Sequence, residues 1–174
     1  MEEKQKQNED VLEIITVGDD VLKQKAREIT SIDEEIHRIA EGMIRTMHTA
    51  PGIGLAAPQV NQSIRLITVD LSAGQNKDDL IVLLNPEILL KEGQDVMEEG
   101  CLSVPGINEK VIRPFQVACR GIDLSGKEKT IGAEGLLARV LCHEVDHLNG
   151  VLFIDHLSPL KKKLIRKKIR QTKE

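Results

Sequence analysis

The sequence predicts an α+β fold, a mostly antiparallel sheet packed around a central metal-binding helix, with an N-terminal helix and a C-terminal basic helix. Three observations carry this. Apolar residues recur with a helical period over Ile36, Ile39, Ala40, Met43, Ile44 and Met47. Short apolar or alternating runs between residues 64 and 131 are separated by turn residues. Two further helical patterns close the chain, one ending at Asn149 and one opening at Pro159. No repeat or linker interrupts this order, so one domain is expected over residues 11–158, between a polar, disordered tail (1–10) and a basic amphipathic helix (159–174).

In the first helix, Ser31 and Glu34 have the spacing of a capping box, and Pro51-Gly52 ends it. His37 and His48 lie off or beside its apolar stripe and read as surface or edge residues. "GIGLAAPQV" has neither periodicity. "IRLITVD" (64–70) alternates as a strand. "LIVLLNPEILL" (80–90) reads as a buried strand, a break at Pro86 and a second short strand. "KEGQDVMEEGCLSVPG" is mixed in character. "VIRPFQVACRGIDLSGKEKTI" reads as two strands joined at Ser125-Gly126. A helix from Ala133 to Asn149 stops at Gly150. "VLFI" (151–154) reads as a short strand, and Ser158-Pro159 has the N-cap and first-turn pattern of the last helix.

Composition narrows the function. Hydrophobic residues make up 40% of the chain, but there are two Phe and no Tyr or Trp, so the core is aliphatic. Bases of single-stranded nucleic acid would find almost no rings to stack on. No DNA partner is expected. The polar start "MEEKQKQNED" is not a signal peptide, and no apolar run is long enough to span a bilayer, so the expected compartment is the cytoplasm. Cys101, Cys119 and Cys142 are odd in number and scattered, which is no disulfide framework. Residues 160–173 hold eight Lys or Arg and no acid, so a net charge of −4 divides into +8 there and −12 elsewhere. Such a tail calls for an anionic partner.

The stretch "LLARVLCHEVDHLNG" (136–150) carries the chemistry. His143 and His147 are four apart, on one helix face, and can reach one point in space. Glu144 lies about 100° around the helix, close enough to serve a metal-bound water without ligating. The pattern can arise by chance. However, Leu137, Val140, Leu141, Val145 and Leu148 predict a buried helix, where two His, a Glu and an Asp are costly unless bound or paired. A catalytic metal wants a third protein ligand. Cys101, in an irregular stretch after Gly100, is the strong candidate. Cys142 points elsewhere on the helix, His156 lies beyond Gly150, and Cys119 reads as core.

Three stretches together, "GIGLAAPQ" (52–59), "EGCLS" (99–103) and "HEVDH" (143–147), resemble the signature motifs of the peptide deformylase family, in order. The resemblance runs over roughly residues 11–170. It implies a metallohydrolase that removes the N-formyl group from the initiator formylmethionine of nascent polypeptides and releases formate. It implies that Cys101, His143 and His147 bind the metal, and that metal-bound water attacks the formyl carbon with Glu144 as general base and acid. Gln59 and the Leu102 N–H would stabilise the oxyanion, and Gly54 and its neighbours, Gly100 among the residues at the site, would take the substrate. Iron(II) is the first expectation for the metal, with Zn2+, Ni2+ or Co2+ as alternatives. The residue before the first His, often Gln in the family, is Cys142 here.

Leu136, Val140 and Ile53 are candidates for the methionine slot, against plain core packing. Glu99, Arg113 and Asp146 are the charged residues nearest the motifs, and an ion pair that orients the ligands is weighed against ordinary surface charge. Leu160, Leu164, Ile165 and Ile169 form an apolar stripe in the basic tail. It could pack on the body, lie on a membrane surface or meet ribosomal RNA; the resemblance favours the ribosome, and a solvated basic helix with no partner is the alternative weighed equally against it. The rival readings are an HExxH metallopeptidase, a catalytically inactive ribosome-associated relative and a thiol redox sensor. The first leaves "EGCLS" and "GIGLAAPQ" unused, and the last explains neither the histidines nor Glu144.

Overall fold

A computed structural model describes residues 11–172. The expected disorder of residues 1–10 lies outside them. Helix α1 (Glu34–Thr49) leads into a five-stranded antiparallel sheet made of β1 (Gly54–Ala56), β2 (Leu66–Val69), β3 (Ile81–Glu92), β6 (Gln116–Ile122) and β7 (Glu128–Glu134), in the order β1-β2-β3-β6-β7. Strands β4 (Asp95–Cys101) and β5 (Val104–Arg113) pair as a separate antiparallel hairpin. Helix α2 (Gly135–Leu148) follows β7 directly, and α3 (Pro159–Thr172) closes the chain.

The α+β expectation holds, with five local corrections. Helix α1 is capped by Asp33, whose side chain accepts from the Ile36 N–H at 3.0 Å, so the Ser31–Glu34 box is not its N-terminus. A carboxylate one residue before the helix competes better for that N–H and suits the positive end of the dipole. Pro86 does not split β3. Asn85, at φ 50°, forms a bulge beside it, and its side chain bonds both the N–H and the C=O of Ile29 at 2.9 Å. The bulge takes up the ladder bond that proline cannot donate. The mixed stretch before Pro105 is strand β4 with the start of β5. Residues 153–156 are a 3-10 turn, not a strand: the Asp155 side chain accepts from the Leu152 N–H at 2.9 Å and curls the chain.

Helix α2 starts at Gly135, two residues later than expected, because β7 stays paired with β6 through Glu134↔Gln116. Gly150, at φ 73°, ends it, and a Cβ there would run into the Lys23 carbonyl. Three apolar clusters result. Leu141, Val145 and Leu148 of α2 pack on Ile67, Val69 and Leu83 of the sheet. Met43 and Met47 of α1 pack on Leu55, Leu66 and Leu84. Val104 and Val111 of the hairpin meet Phe153, Leu157 and Ile165. Helix α2 is therefore held between the sheet and the hairpin, and its remaining face closes the floor of a cleft between β1 and β4. Among the described residues no helix is long and apolar enough to cross a membrane.

Candidate metal centre and substrate cleft

The four-residue spacing on α2 stacks the two imidazoles edge to face, 4.9 Å between centroids, with the Nε2 atoms 3.2 Å apart. Cys101 reaches them from the end of β4, where the hairpin register shifts, and its Sγ lies 3.4 Å from His147 Nε2. The three ligand atoms fall within 4.8 Å of one another. A tetrahedral ion at about 2.0–2.1 Å from nitrogen and about 2.3 Å from sulfur needs N···N near 3.4 Å and S···N near 3.6 Å. The cluster fits that demand, and one thiolate with two imidazoles is a suitable donor set for a transition metal.

Glu144 is 3% exposed and lies beside Gly54 across the cleft. Burial pushes its carboxyl up to about 7, against the pull of His143. Its Oε2 is buried with no hydrogen-bond partner, an orphaned acceptor that suits a water or a reacting group in the cleft. His147 is pushed well below the ordinary histidine value, by burial first and by His143 second. A neutral imidazole is the form that ligates.

Gln59 is 2% exposed in a 3-10 turn after β1. Its Oε1 accepts from the Ala56 N–H at 2.9 Å, which turns Nε2 toward Ser103 Oγ (3.1 Å) and Cys101 Sγ (3.5 Å). The amide thus presents a donor to the centre of the cluster.

A cavity of about 600 Å³ opens above these groups. Ile53, Gly54, Leu136 and Val140 line it from one side, and Glu99, Gly100, Cys101 and Leu102 from the other, with His143 and Glu144 below. Its β1 wall is a sheet edge paired on one side only, to β2. A Cβ on Gly54 would come 2.8 Å from Val140 Cγ1 and into Glu144, so only glycine leaves the edge open there.

Beneath the ligands runs a charged network. Glu99, 6% exposed, sits 3.1 Å from His143 Nδ1 through Oε2. Arg113 spans both its oxygens, Nε to Oε1 at 2.8 Å and Nη2 to Oε2 at 3.0 Å, and meets Asp146 through Nη1 at 2.5 Å. Burial alone would raise the Glu99 carboxyl; hydrogen bonds from His143 and Arg113 outweigh it and hold it far below the carboxylate range. Glu99 and Arg113 thus form a buried ion pair that continues to the partly buried Asp146, rather than surface charge. Arg113 and Asp146 stand behind α2, outside the cleft, on a second polar cavity.

The sequence reading missed several partners. Ser103 is fully buried and accepts from Gln59. Arg139, 3% exposed, also bonds Glu99. His156, set aside as a ligand, lies 2.7 Å from Asp146. His48 is not an ordinary surface residue: its Nε2 lies 2.7 Å from the buried Asp70. Only Ser103 carried a signal, its place two residues after Cys101 in "EGCLS".

Comparison with known proteins bears on the same residues. The sequence pattern of polypeptide deformylases matches residues 11–163. A peptide deformylase of Thermodesulfovibrio yellowstonii is 50% identical over 163 residues, covering 94% of this chain and 99% of that protein. The crystal structure of a peptide deformylase from Legionella pneumophila superposes with a TM-score of 0.88 at 41% identity, covering 94% and 95% of the two chains. A peptide deformylase from Synechococcus elongatus in complex with actinonin gives 0.85 at 41% identity, covering 90% and 86%. With a Cys-His-His cluster able to hold a metal at the floor of its cleft, this chain belongs to the polypeptide deformylase family, metal-dependent hydrolases that remove N-formyl groups.

Proposed function

We propose that the chain deformylates the formylmethionyl end of nascent polypeptides with Cys101, His143 and His147 as metal ligands and Glu144 as general base and acid. The observation that carries this is the convergence of the three ligand atoms under a cleft whose wall is an unpaired strand edge. When bound, a divalent ion supplies Lewis acidity, which lowers the pKa of water and polarises a carbonyl. Glu144, its carboxyl lifted by burial to about 7, takes the proton of the attacking water and returns it to the leaving amine. Gln59 Nε2, fixed through the Ala56 N–H, and the Leu102 N–H donate to the developing oxyanion. The substrate backbone adds as a strand along Gly54, and its methionine side chain enters the slot of Ile53, Leu136 and Val140, with Gly100 opposite. Glu99 orients His143, with Arg113 and Asp146 behind it.

Iron(II) is the metal proposed, on the resemblance; a thiolate with two imidazoles also suits zinc, nickel or cobalt, which such donors generally bind more tightly. The basic face of residues 160–173 is proposed to bring the enzyme to the ribosome, in the cytoplasm, where formylated chains emerge. Formate release from a short N-formylmethionyl peptide tests the central reading, with protein loaded anaerobically with iron(II) or nickel and Glu144→Ala beside it. Fast release that the substitution abolishes is expected. No release from protein holding one ion per chain would sink it, and cleavage of an internal peptide bond in an N-acetyl peptide would favour the metallopeptidase alternative.

A further inference from the structure

Arg139 has no part in the reaction described above, yet it is 3% exposed and both its terminal nitrogens are hydrogen-bonded. It stands one turn before His143 on α2, so both project toward the same side of the hairpin. Its guanidinium makes three directed bonds. Nη1 donates to Glu99 Oε1 at 2.9 Å and to the Val111 carbonyl at 2.8 Å, and Nη2 donates to the Asp95 carbonyl at 2.9 Å. The residue also lines the cleft. One carboxylate therefore receives two arginines and one imidazole. Arg113 and Arg139 share Oε1, which leaves Oε2 to Arg113 Nη2 and His143 Nδ1.

We infer that Arg139 is a positioning residue for the metal ligand His143, acting through Glu99 and tying that carboxylate to both strands of the β4–β5 hairpin. Arg113 alone leaves Glu99 free to rock about the Arg113 axis. The second guanidinium, anchored by two main-chain carbonyls, removes that freedom and fixes the direction from which Oε2 meets His143. Since Cys101 is on the same hairpin, Arg139 also sets the distance between the thiolate and the two imidazoles. Lysine cannot replace it fully, because an ammonium cannot hold a carboxylate and two diverging carbonyls in one plane.

The inference rests on the ligand assignment above, and cobalt(II) separates the two. Wild-type protein, Arg139→Met and Arg139→Lys are loaded with cobalt(II). Their visible and thiolate charge-transfer spectra are recorded, and their affinity for the ion is measured against a competing chelator, beside thermal melts. Arg139→Met is expected to bind cobalt(II) about 10–100-fold more weakly, with a shifted spectrum. Arg139→Lys should recover part of the affinity. If Arg139→Met does not fold, Arg139→Lys decides: a shifted spectrum in folded protein supports the inference, an unchanged one overturns it. A merely structural arginine would lower the melting temperature and leave spectrum and affinity alone, which also overturns it. Wild-type protein that takes up cobalt(II) without a thiolate band would overturn the ligand assignment and this inference with it.

Discussion

Helices α2 and α3 are both 14 residues long, both rich in charge, and opposite in how they use it. Helix α2 buries nine residues, three of them Arg139, Glu144 and His147. Helix α3 buries Ile165 alone among its described residues, leaves Leu160 68% and Leu164 57% exposed, and carries seven Lys or Arg. Buried charge is costly unless paired, so on α2 the charged side chains are paired or face the cleft, although Arg139 Nε and His147 Nδ1 have no hydrogen-bond partner. On α3 the charges keep their water, and what they contribute is a summed field. Single substitutions should therefore be severe around α2 and mild on α3.

Arg113→Ala should show the largest effect on stability. It leaves Asp146 without its arginine and Glu99, 6% exposed, with Arg139 as its remaining guanidinium. Removing one partner of a buried pair costs about 3–5 kcal/mol. Denaturant unfolding should register that loss, and metal affinity should fall about tenfold or more. Stability and affinity both unchanged would mean that the network is ornamental and that α2 resembles α3 after all.

Gly54→Ala comes next. The new Cβ would press on Val140 and Glu144 from the opposite wall of the cleft. A displacement of this size at a reacting centre costs about 10²-fold in rate. Reduced kcat/KM with a nearly unchanged melting temperature is expected. A loss of stability with intact kcat/KM would show that Gly54 serves packing and not the substrate edge.

These two residues also show what was legible in the sequence. His143, Glu144 and His147 were readable because helix geometry alone puts residues four apart on one face. Gly54 and Gln59 were readable only through the resemblance, since a glycine turn looks the same with or without a substrate. The hairpin was not readable as strands because its alternation is inverted. Glu99 and Arg113 point inward, while Val96 and Ile112, 56% and 60% exposed, point outward. Arg139 was invisible for a related reason. Its partner Glu99 lies 40 residues away, and an arginine in a helix normally signals the solvent face. Buried ion pairs reverse hydrophobic patterning, so the network that supports the site erases its own local signal.

Asp70→Asn probes a third setting, a buried carboxylate outside the cleft. Burial would raise its pKa, but the Ser72 hydroxyl, His48 and the N–H groups of Gly74 and Ser72 outweigh burial and lower it. A group whose folded pKa is depressed stabilises the protein above its unfolded value, near 3.9, and loses that contribution as pH falls through the folded value. An asparagine amide would face the Gly74 N–H, donor against donor, at a cost of about 1–3 kcal/mol. The stability gap between wild type and variant should thus be full at pH 7 and shrink below about pH 4. A gap independent of pH down to pH 2 would remove the ionic part of the explanation.

The smallest effect belongs to α3. Lys161 meets Glu109 at 2.7 Å, but both remain in contact with water, the lysine half exposed. An exposed pair of this kind contributes about 0–1 kcal/mol. Lys161→Ala should shift unfolding by less than Arg113→Ala does, by a wide margin, although the distance between the charges is similar. Replacing Lys162, Lys163 and Arg166 together should leave the melting temperature in place and reduce ribosome affinity, with a shallower dependence on salt. A triple variant that melts early would mean that α3 is part of the fold. One that melts normally and binds ribosomes with the same salt slope would leave the basic face without the role proposed for it. The contrast between the helices sharpens only if the two readouts separate, with stability tracking α2 and salt-dependent association tracking α3.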